Sequence, residues 1–149
     1  GRPKVANFTP KDQKFEIGKA VQLTEGTDVT IVATGHLVWQ AILAAEELEK
    51  DGVSSEIINI HTIKPLDAEA IIASVKKTGC VVTCEEHNYL GGLGESVARE
   101  LALSHPAPQE FVATQDTFGE SGSPDELMEK YGLNNKAIVK AVKKVLDRK

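Results

Sequence analysis

The sequence predicts an α/β domain of three layers, in which helices cover both faces of a mostly parallel sheet of about five strands. Short, almost wholly apolar runs alternate with amphipathic helical patterns at least three times, about every 25 residues. This alternation is typical of parallel strands joined by crossover helices. One further β-prone run precedes the first of these strands, and it predicts a single antiparallel strand at an edge of the sheet.

The first elements are two β-prone runs, residues 19–23 and 29–33, joined by a short loop that contains Gly26. A short glycine-containing loop between two such runs predicts a hairpin. The second run is nearly all apolar, as expected for a strand that is covered on both faces. A helical pattern follows from His36 to Lys50, and Gly52 stands where a left-handed glycine commonly ends a helix.

The middle of the chain repeats this alternation. Residues 56–60 predict a strand, and Pro65 opens a second helix whose N-terminus Asp67 is placed to cap. Residues 80–84 predict the next buried strand. The glycines of residues 91–94 lead into a third helix, whose inward-facing residues are Leu93, Val97 and Leu101.

The last third of the chain predicts one more strand and two helices. The strand covers residues 111–114. Residues 123–126 form a capping box with proline at the first helical position, and Gly132 closes that short helix. Asn134 begins the last helix, whose inward-facing residues are Ile138, Val142, Val145 and Leu146.

The length and the N-terminal sequence predict one folded domain preceded by a linker. A chain of 149 residues is close to the commonest domain size and buries one sizeable core. It begins with Gly1 rather than Met, and residues 1–12 hold two prolines and no sustained periodicity. We therefore expect residues 1–12 to be a linker or the tail of an upstream domain, and residues 13–149 to form the domain.

Composition excludes several classes of function. The net charge of −5 disfavours binding to duplex nucleic acid and to anionic membrane surfaces. No apolar run approaches the about 20 residues of a transmembrane helix, and no signal-peptide pattern is visible. Two cysteines do not make a disulfide framework. We expect a cytoplasmic protein that binds neither nucleic acid nor membranes.

Gly92 and Gly94 lie between a strand and a helix, where a glycine-rich loop can bind phosphate. The third glycine of a dinucleotide-binding motif is replaced by Val97, however, and three carboxylates crowd the loop: Glu85, Glu86 and Glu95. We therefore favour glycines that let the helix begin close to the sheet.

Cys80, Cys84 and His87 suggest a metal site, but the spacing disfavours one. Residues four apart on a strand share a face and lie ~13 Å apart. Zinc needs each sulfur at ~2.3 Å, so two such cysteines cannot share one ion. We expect structural cysteines in a buried strand, and no metal ligands.

The sequence around Ser96 weakly resembles the nucleophile elbow of a hydrolase. An elbow needs its serine on the turn directly after a strand, whereas Ser96 is predicted to lie in the first turn of a helix. No histidine stands beside an evident nucleophile. The residues alone therefore give no complete catalytic set.

Three histidines follow the predicted strands. His36 and His61 lie after the carboxyl ends of parallel strands, where open α/β sheets commonly bind ligands, and residues 87–89 lie at the same edge. These loops form either a ligand crevice, for an effector that the sequence does not identify, or a protein contact surface. We favour the contact surface, because no basic cluster accompanies the histidines.

Five segments of the chain resemble the C-terminal domain of transketolase: residues 25–33, 60–67, 85–94, 116–122 and 126–133. They occur in the family's order and span nearly the whole chain. The Thr-Ile-Lys-Pro-Leu-Asp and Gly-Gly-Leu-Gly sequences are also similar to 1-deoxyxylulose-5-phosphate synthase and to 2-oxo-acid dehydrogenase beta subunits. The Phe-Gly-Glu-Ser-Gly sequence favours transketolase, particularly the split form whose C-terminal section is a separate polypeptide.

The resemblance implies a transferase that uses thiamine diphosphate and a divalent metal such as Mg²⁺. Such an enzyme moves a two-carbon ketol unit between sugar phosphates, as in the pentose phosphate pathway. In that family the cofactor lies between a diphosphate-binding domain and the partner subunit's pyrimidine-binding domain, and the full enzyme is a homodimer. The chain lacks the metal-binding Gly-Asp-Gly motif and the segment with the cofactor-activating glutamate.

No catalytic, cofactor-binding or metal-binding residue can therefore be carried over to this chain. The resemblance implies a structural role in dimer assembly. It also implies that residues 1–12 include the end of the pyrimidine-binding domain. The chain alone is expected to bind no cofactor and to be inactive. Its implied partners are the other transketolase domains, or the polypeptide that forms the N-terminal section.

Arg2 is the one residue to which the resemblance gives a role in the site. It stands where the transketolase pyrimidine-binding domain ends in an arginine that binds the substrate's phosphate. A guanidinium group suits phosphate because its N–H groups can bind two oxygens at once.

Two other functions stay open at this point. One is the equivalent domain of a 2-oxo-acid dehydrogenase beta subunit. The other is a stand-alone regulatory or nucleotide-binding α/β module. The sequence does not give the donor and acceptor sugars.

Overall fold

The computed structural model describes residues 6–149, and it confirms the predicted three-layer α/β/α fold. Strands and helices follow one another along the chain as β1 Val21–Thr24, β2 Val29–Ala33, α1 Leu37–Lys50, β3 Ser55–Asn59, α2 Ala68–Thr78, β4 Val81–Asn88, α3 Leu93–Ser104, β5 Gln109–Thr114, α4 Pro124–Lys130 and α5 Asn135–Leu146.

The sheet has the order β1-β3-β2-β4-β5. Strands β3, β2, β4 and β5 run parallel to one another, and β1 is an edge strand that pairs with β3 in the antiparallel direction. Helices α1 and α5 pack together on one face, and α2 and α3 pack together on the other. Each face has its own apolar core, so β2, which lies between the two cores, is completely buried.

The predicted hairpin is wrong, because β1 pairs with β3 and not with β2. Val21 lies opposite Asn59, and Gln22 lies opposite Ile58. Both edges of β2 are already occupied by the parallel strands β3 and β4. After β1, the chain must therefore pass the N-terminal end of β3 to reach β2 on the other side. A loop that is short enough for a hairpin also suffices for this crossing.

Glu56, a residue of β3, holds the segment between β1 and β2 in place. The side chain is buried, and its carboxylate pairs with Lys77 and accepts hydrogen bonds from Gln22 Nε2 at 3.3 Å and from the Gly26 amide at 3.4 Å. Burial raises the pKa of Glu56, but the hydrogen bonds from Lys77 and Ser74 outweigh it and leave the pKa below its ordinary value. The carboxylate therefore stays charged and holds the turn between β1 and β2 against β3.

The predicted helix caps are confirmed. Asp67 Oδ1 accepts a hydrogen bond from the Ala70 amide at 3.3 Å, and Asp67 Oδ2 accepts one from the Ala20 amide at 2.9 Å. One side chain thus caps α2 and fixes the entry into β1. Ser123 and Glu126 form the capping box at the start of α4.

The residues before β1 cross the end of the sheet at which the parallel strands finish. Within the predicted linker, Phe8 is half-buried against the core under α1 and α5. The Phe15 ring lies on the His61 ring, with centroids 4.3 Å apart. The boundary between linker and domain at residues 12 and 13 stays a prediction.

Candidate functional site at the carboxyl edge of the sheet

The loops that follow β2, β3, β4 and β5 meet at one edge of the sheet, which we call the carboxyl edge. His36 follows β2 and His61 follows β3, as predicted. Strand β4 is longer than predicted, so His87 lies near its end rather than in the following loop. The strand order changes direction between β2 and β4, and open α/β sheets bind ligands at such a point.

Two of the three predicted histidines come together. His36 and His87 line one cavity of about 390 Å³, together with Glu86, Gly91 and Gly92. His61 does not line this cavity, and its ring packs against the Phe15 ring. The predicted edge therefore exists, but its histidines do not form one cluster.

His36 lines all three of the cavities described at the carboxyl edge. It also lines a second cavity, of about 360 Å³, with Glu86 and Tyr131, and a third, of about 270 Å³, with Trp39. Within residues 6–149, the buried His36 Nδ1 has no hydrogen-bond partner. A buried polar atom without a partner is costly, so its partner is expected to come from a ligand or from another protein surface.

The charge of these cavities disfavours a phosphate ligand. Among residues 6–149, the linings include the carboxylates of Glu86, Glu120, Asp125 and Glu129, and no lysine or arginine. Phosphate groups are usually bound by cationic side chains or by a free helix N-terminus. Within residues 6–149 these cavities offer a phosphate no cationic side chain, although the start of α1 at His36 has no side-chain cap.

Exposed apolar side chains surround the same cavities. Phe118 is 99% exposed, Phe15 is 68% exposed, and Leu90 and Ile63 are each more than 40% exposed. All four lie on segments that cross or leave the carboxyl edge. Large apolar residues that gather on one surface favour contact with another protein.

Glu85 occupies the amides at which the glycine-rich loop would bind an anion. This carboxylate is buried within β4, and its two oxygens accept hydrogen bonds from the Leu93 and Gly94 amides, each at 2.8 Å. A Cβ on Gly92 would lie 2.1 Å from Glu85 Oε2. The helix N-terminus that would bind a phosphate is therefore filled by the protein's own carboxylate.

In the sequence, Glu85 stands out only as one of three charges that crowd the loop. The position offered a stronger signal. A glutamate at the end of an apolar strand, eight residues before a glycine-rich helix start, lies within reach of that helix's free amides. That a phosphate does not bind at this loop stays a prediction, and the hydrogen bonds of Glu85 give a physical reason for it.

The remaining candidates are structural. Cys80 and Cys84 are buried, as predicted for a covered strand, and burial raises the pKa of Cys84 well above its ordinary value. Ser96 lies in the first turn of α3, and its Oγ donates a hydrogen bond to the Gly92 carbonyl at 2.9 Å. Arg2 lies outside the described residues, so its role stays a prediction.

No helix within residues 6–149 is long and apolar enough to cross a membrane.

The fold and its carboxyl edge define a three-layer α/β/α domain whose surface is suited to contact with another protein. The family model of the transketolase C-terminal domain matches residues 18–138, and the chain belongs to this family.

The comparisons also indicate the split form. The chain is 48% identical, over 148 residues, to the 6-deoxy-6-sulfo-D-fructose transketolase subunit SqwH of Clostridium sp. strain MSTE9. The match covers 99% of this chain and 46% of that subunit. A solved split-gene transketolase, described as an inactive β4 tetramer, matches with a TM-score of 0.93 and 43% identity over 96% of this chain and 47% of the other.

The chain also has a relative among the dehydrogenases. It is 44% identical, over 112 residues, to a pyruvate dehydrogenase E1 component subunit beta of Staphylococcus epidermidis, covering 72% of this chain and 34% of that one. The chain thus spans less than half the length of these relatives.

Proposed function

We propose that this chain is the C-terminal domain of a thiamine-diphosphate-dependent transketolase that moves a two-carbon ketol unit between sugar phosphates. The observation that carries the proposal is the match to the split-gene transketolase, which extends over 96% of the chain at a TM-score of 0.93. The domain contributes to assembly, and the reaction takes place on the other domains. The expected cytoplasmic location stays a prediction.

The carboxyl edge is the proposed contact with the rest of the enzyme. The segment that leads back to the chain's N-terminus crosses this edge, so an upstream domain would be attached beside it. The exposed Phe118, Leu90 and Ile63 supply apolar area for such a contact. In the split form the partner is the N-terminal section, and the assembled enzyme is a homodimer of complete units.

Thiamine diphosphate and its metal do not fit the described residues. The cofactor's diphosphate and divalent cation need cationic or amide donors and converging oxygen ligands, respectively. Within residues 6–149 the carboxyl-edge cavities are lined by carboxylates without a lysine or arginine, and Glu85 occupies the start of α3. No group of three metal-ligating side chains converges within residues 6–149. We therefore assign the cofactor to the other domains.

The first prediction concerns cofactor binding. Calorimetric titration of the chain alone with thiamine diphosphate and Mg²⁺ is expected to give no saturable heat, because residues 6–149 present no cationic cluster that fits the diphosphate. The assembled enzyme in the same buffer is the positive control. Micromolar, magnesium-dependent binding to the chain alone would contradict the assignment of the cofactor to other domains.

The second prediction concerns Arg2. In the intact enzyme, Arg2→Ala is expected to lower kcat/KM for a phosphorylated substrate by ~10- to 100-fold, because a hydrogen bond to a charged group contributes ~1.5–3 kcal/mol. The unphosphorylated analogue should be almost unaffected. A contact used equally in the ground and transition states appears mainly in KM.

The ratio of the two efficiencies also separates transketolase from its rival. The substrate of a 2-oxo-acid dehydrogenase carries no phosphate, so the equivalent domain of such an enzyme would show no selective loss. The 44% identity to a pyruvate dehydrogenase beta subunit makes the equivalent dehydrogenase domain the second candidate function. An unchanged ratio in Arg2→Ala would remove Arg2 from the site, and a loss of cofactor affinity would give it a different role.

A further inference from the structure

A groove lies near the opposite edge of the sheet, where the parallel strands begin. It has a volume of about 470 Å³ and runs between the C-terminal half of α1 and the strands β1 and β3. Its apolar floor consists of Ile42, Ala45, Val53 and Ile57. We call it the amino-edge groove. None of the functions discussed above uses it.

Three carboxylates line this groove. Glu46 and Glu49 come from α1, and Glu25 comes from the turn after β1. All three are exposed, and within residues 6–149 none has a lysine or arginine nitrogen within 4 Å. The groove thus gathers three carboxylates that make no ion pair with the described residues, although Lys50 stands nearby on α1, four residues after Glu46.

The position of these carboxylates on α1 is unfavourable for the helix itself. The C-terminus of a helix has a partial negative charge, so Glu49 in the last turn of α1 reduces the stability of the helix, and Lys50 in the same turn offsets this in part. Ile42, Ala45, Glu46 and Glu49 share one helix face, because they are three, four and seven residues apart. A cation bound along this face would offset both the carboxylates and the helix end.

Ser55 supplies a second, independent indication of a ligand. This residue lines the groove and is only 8% exposed, and its Oγ has no hydrogen-bond partner within residues 6–149. Its backbone carbonyl is already bound, because it accepts a hydrogen bond from Thr24 Oγ1 at 3.0 Å. The hydroxyl can accept a hydrogen bond from an ammonium group, but its oxygen is closed to solvent, so the side chains around it must move for a ligand to reach it.

We propose that the amino-edge groove binds a linear aliphatic polyamine. The ammonium groups of such a molecule donate hydrogen bonds and carry positive charge, which suits three carboxylates and a hydroxyl. Its methylene segments suit the apolar floor between them. A single metal ion suits the groove less well, since the carboxylates do not converge on one point among the described residues. The volume lies in the range of small-molecule sites.

The test uses spermidine as the probe and the 149-residue chain, titrated by calorimetry at 0.15 M salt. We expect saturable binding of one spermidine per chain. Glu46→Gln/Glu49→Gln should weaken it about tenfold, as for the loss of two partly exposed ion pairs. The matched control Glu16→Gln/Glu69→Gln changes the net charge equally at two exposed positions away from the groove, and it should stay within about twofold.

Three outcomes would overturn the proposal. Absence of saturable binding is the first. Equal weakening in the two double variants is the second, because it would mean attraction to the overall charge of the chain. The third is a lysine-rich peptide that binds more tightly than spermidine and with the same dependence on Glu46 and Glu49, which would make the groove a protein contact. Unfolding midpoints measured for every variant separate lost binding from lost folding.

Discussion

Glu85→Ala is expected to lower the free energy of unfolding by about 3–5 kcal/mol. The substitution removes the carboxylate that accepts hydrogen bonds from the Leu93 and Gly94 amides, each at 2.8 Å. Both amides then stay buried at the start of α3 without an acceptor, and each costs about 1–3 kcal/mol. The negative charge that stabilises the helix N-terminus is lost as well.

Urea denaturation of the chain measures this effect, and the neighbouring Glu86→Ala is the matched control. Glu86 is exposed at the same strand, so its substitution should change the free energy of unfolding by no more than about 0.5 kcal/mol. Glu85→Gln should fall between the two, because its amide keeps one acceptor oxygen. Equal effects of Glu85→Ala and Glu86→Ala would mean that α3 does not depend on this cap.

Gly26→Ala is expected to cost about 3 kcal/mol and to loosen β1 in particular. A Cβ at this position would lie 2.2 Å from the Ser55 carbonyl carbon and 2.3 Å from the Glu56 amide nitrogen. Both are backbone atoms of β3, so no change of side-chain rotamer relieves the contact. The turn must move away from β3 and lose the hydrogen bond from the Gly26 amide to Glu56.

Amide hydrogen exchange gives the local measurement for Gly26→Ala, and denaturation gives the global one. The amides of β1 and of the first half of β3 should lose protection first, since they flank the displaced turn. Gly119→Ala is the control, because a Cβ there meets no atom within 4 Å and the backbone is not left-handed. Unchanged protection of the β1 amides in Gly26→Ala would contradict the close packing of the Gly26 turn against β3.

The alternation of apolar runs and helical faces was sufficient to predict the fold class, the two layers of helices and the edge position of β1. The partner of β1 was not predictable from local sequence. A short loop with Gly26 is compatible both with a hairpin and with a crossing beneath β3. The choice depends on which edges of β2 are free, and that is decided by the parallel pairing of β3 and β4. Such long-range competition leaves no local pattern.

The candidate site was predictable only in part, for a similar reason. Strand order places His36 and His87 at one edge, and that placement follows from the α/β pattern. Whether their side chains share a cavity depends on loop paths, and Phe15 covers His61 from a segment 46 residues earlier in the sequence. The buried role of Glu85 depends in turn on the path from β4 into α3, which only the structure shows.

The most direct test of the central claim is a measurement of ketol transfer by the reconstituted enzyme. The full-length polypeptide that contains this chain is mixed with the polypeptide of the N-terminal section, thiamine diphosphate and Mg²⁺. Transfer of a two-carbon unit from a ketose phosphate to an aldose phosphate is then followed. We expect transfer only when both polypeptides are present. Transfer by the polypeptide with this chain alone, or oxidative decarboxylation of a 2-oxo acid in place of ketol transfer by the mixture, would contradict the proposed function.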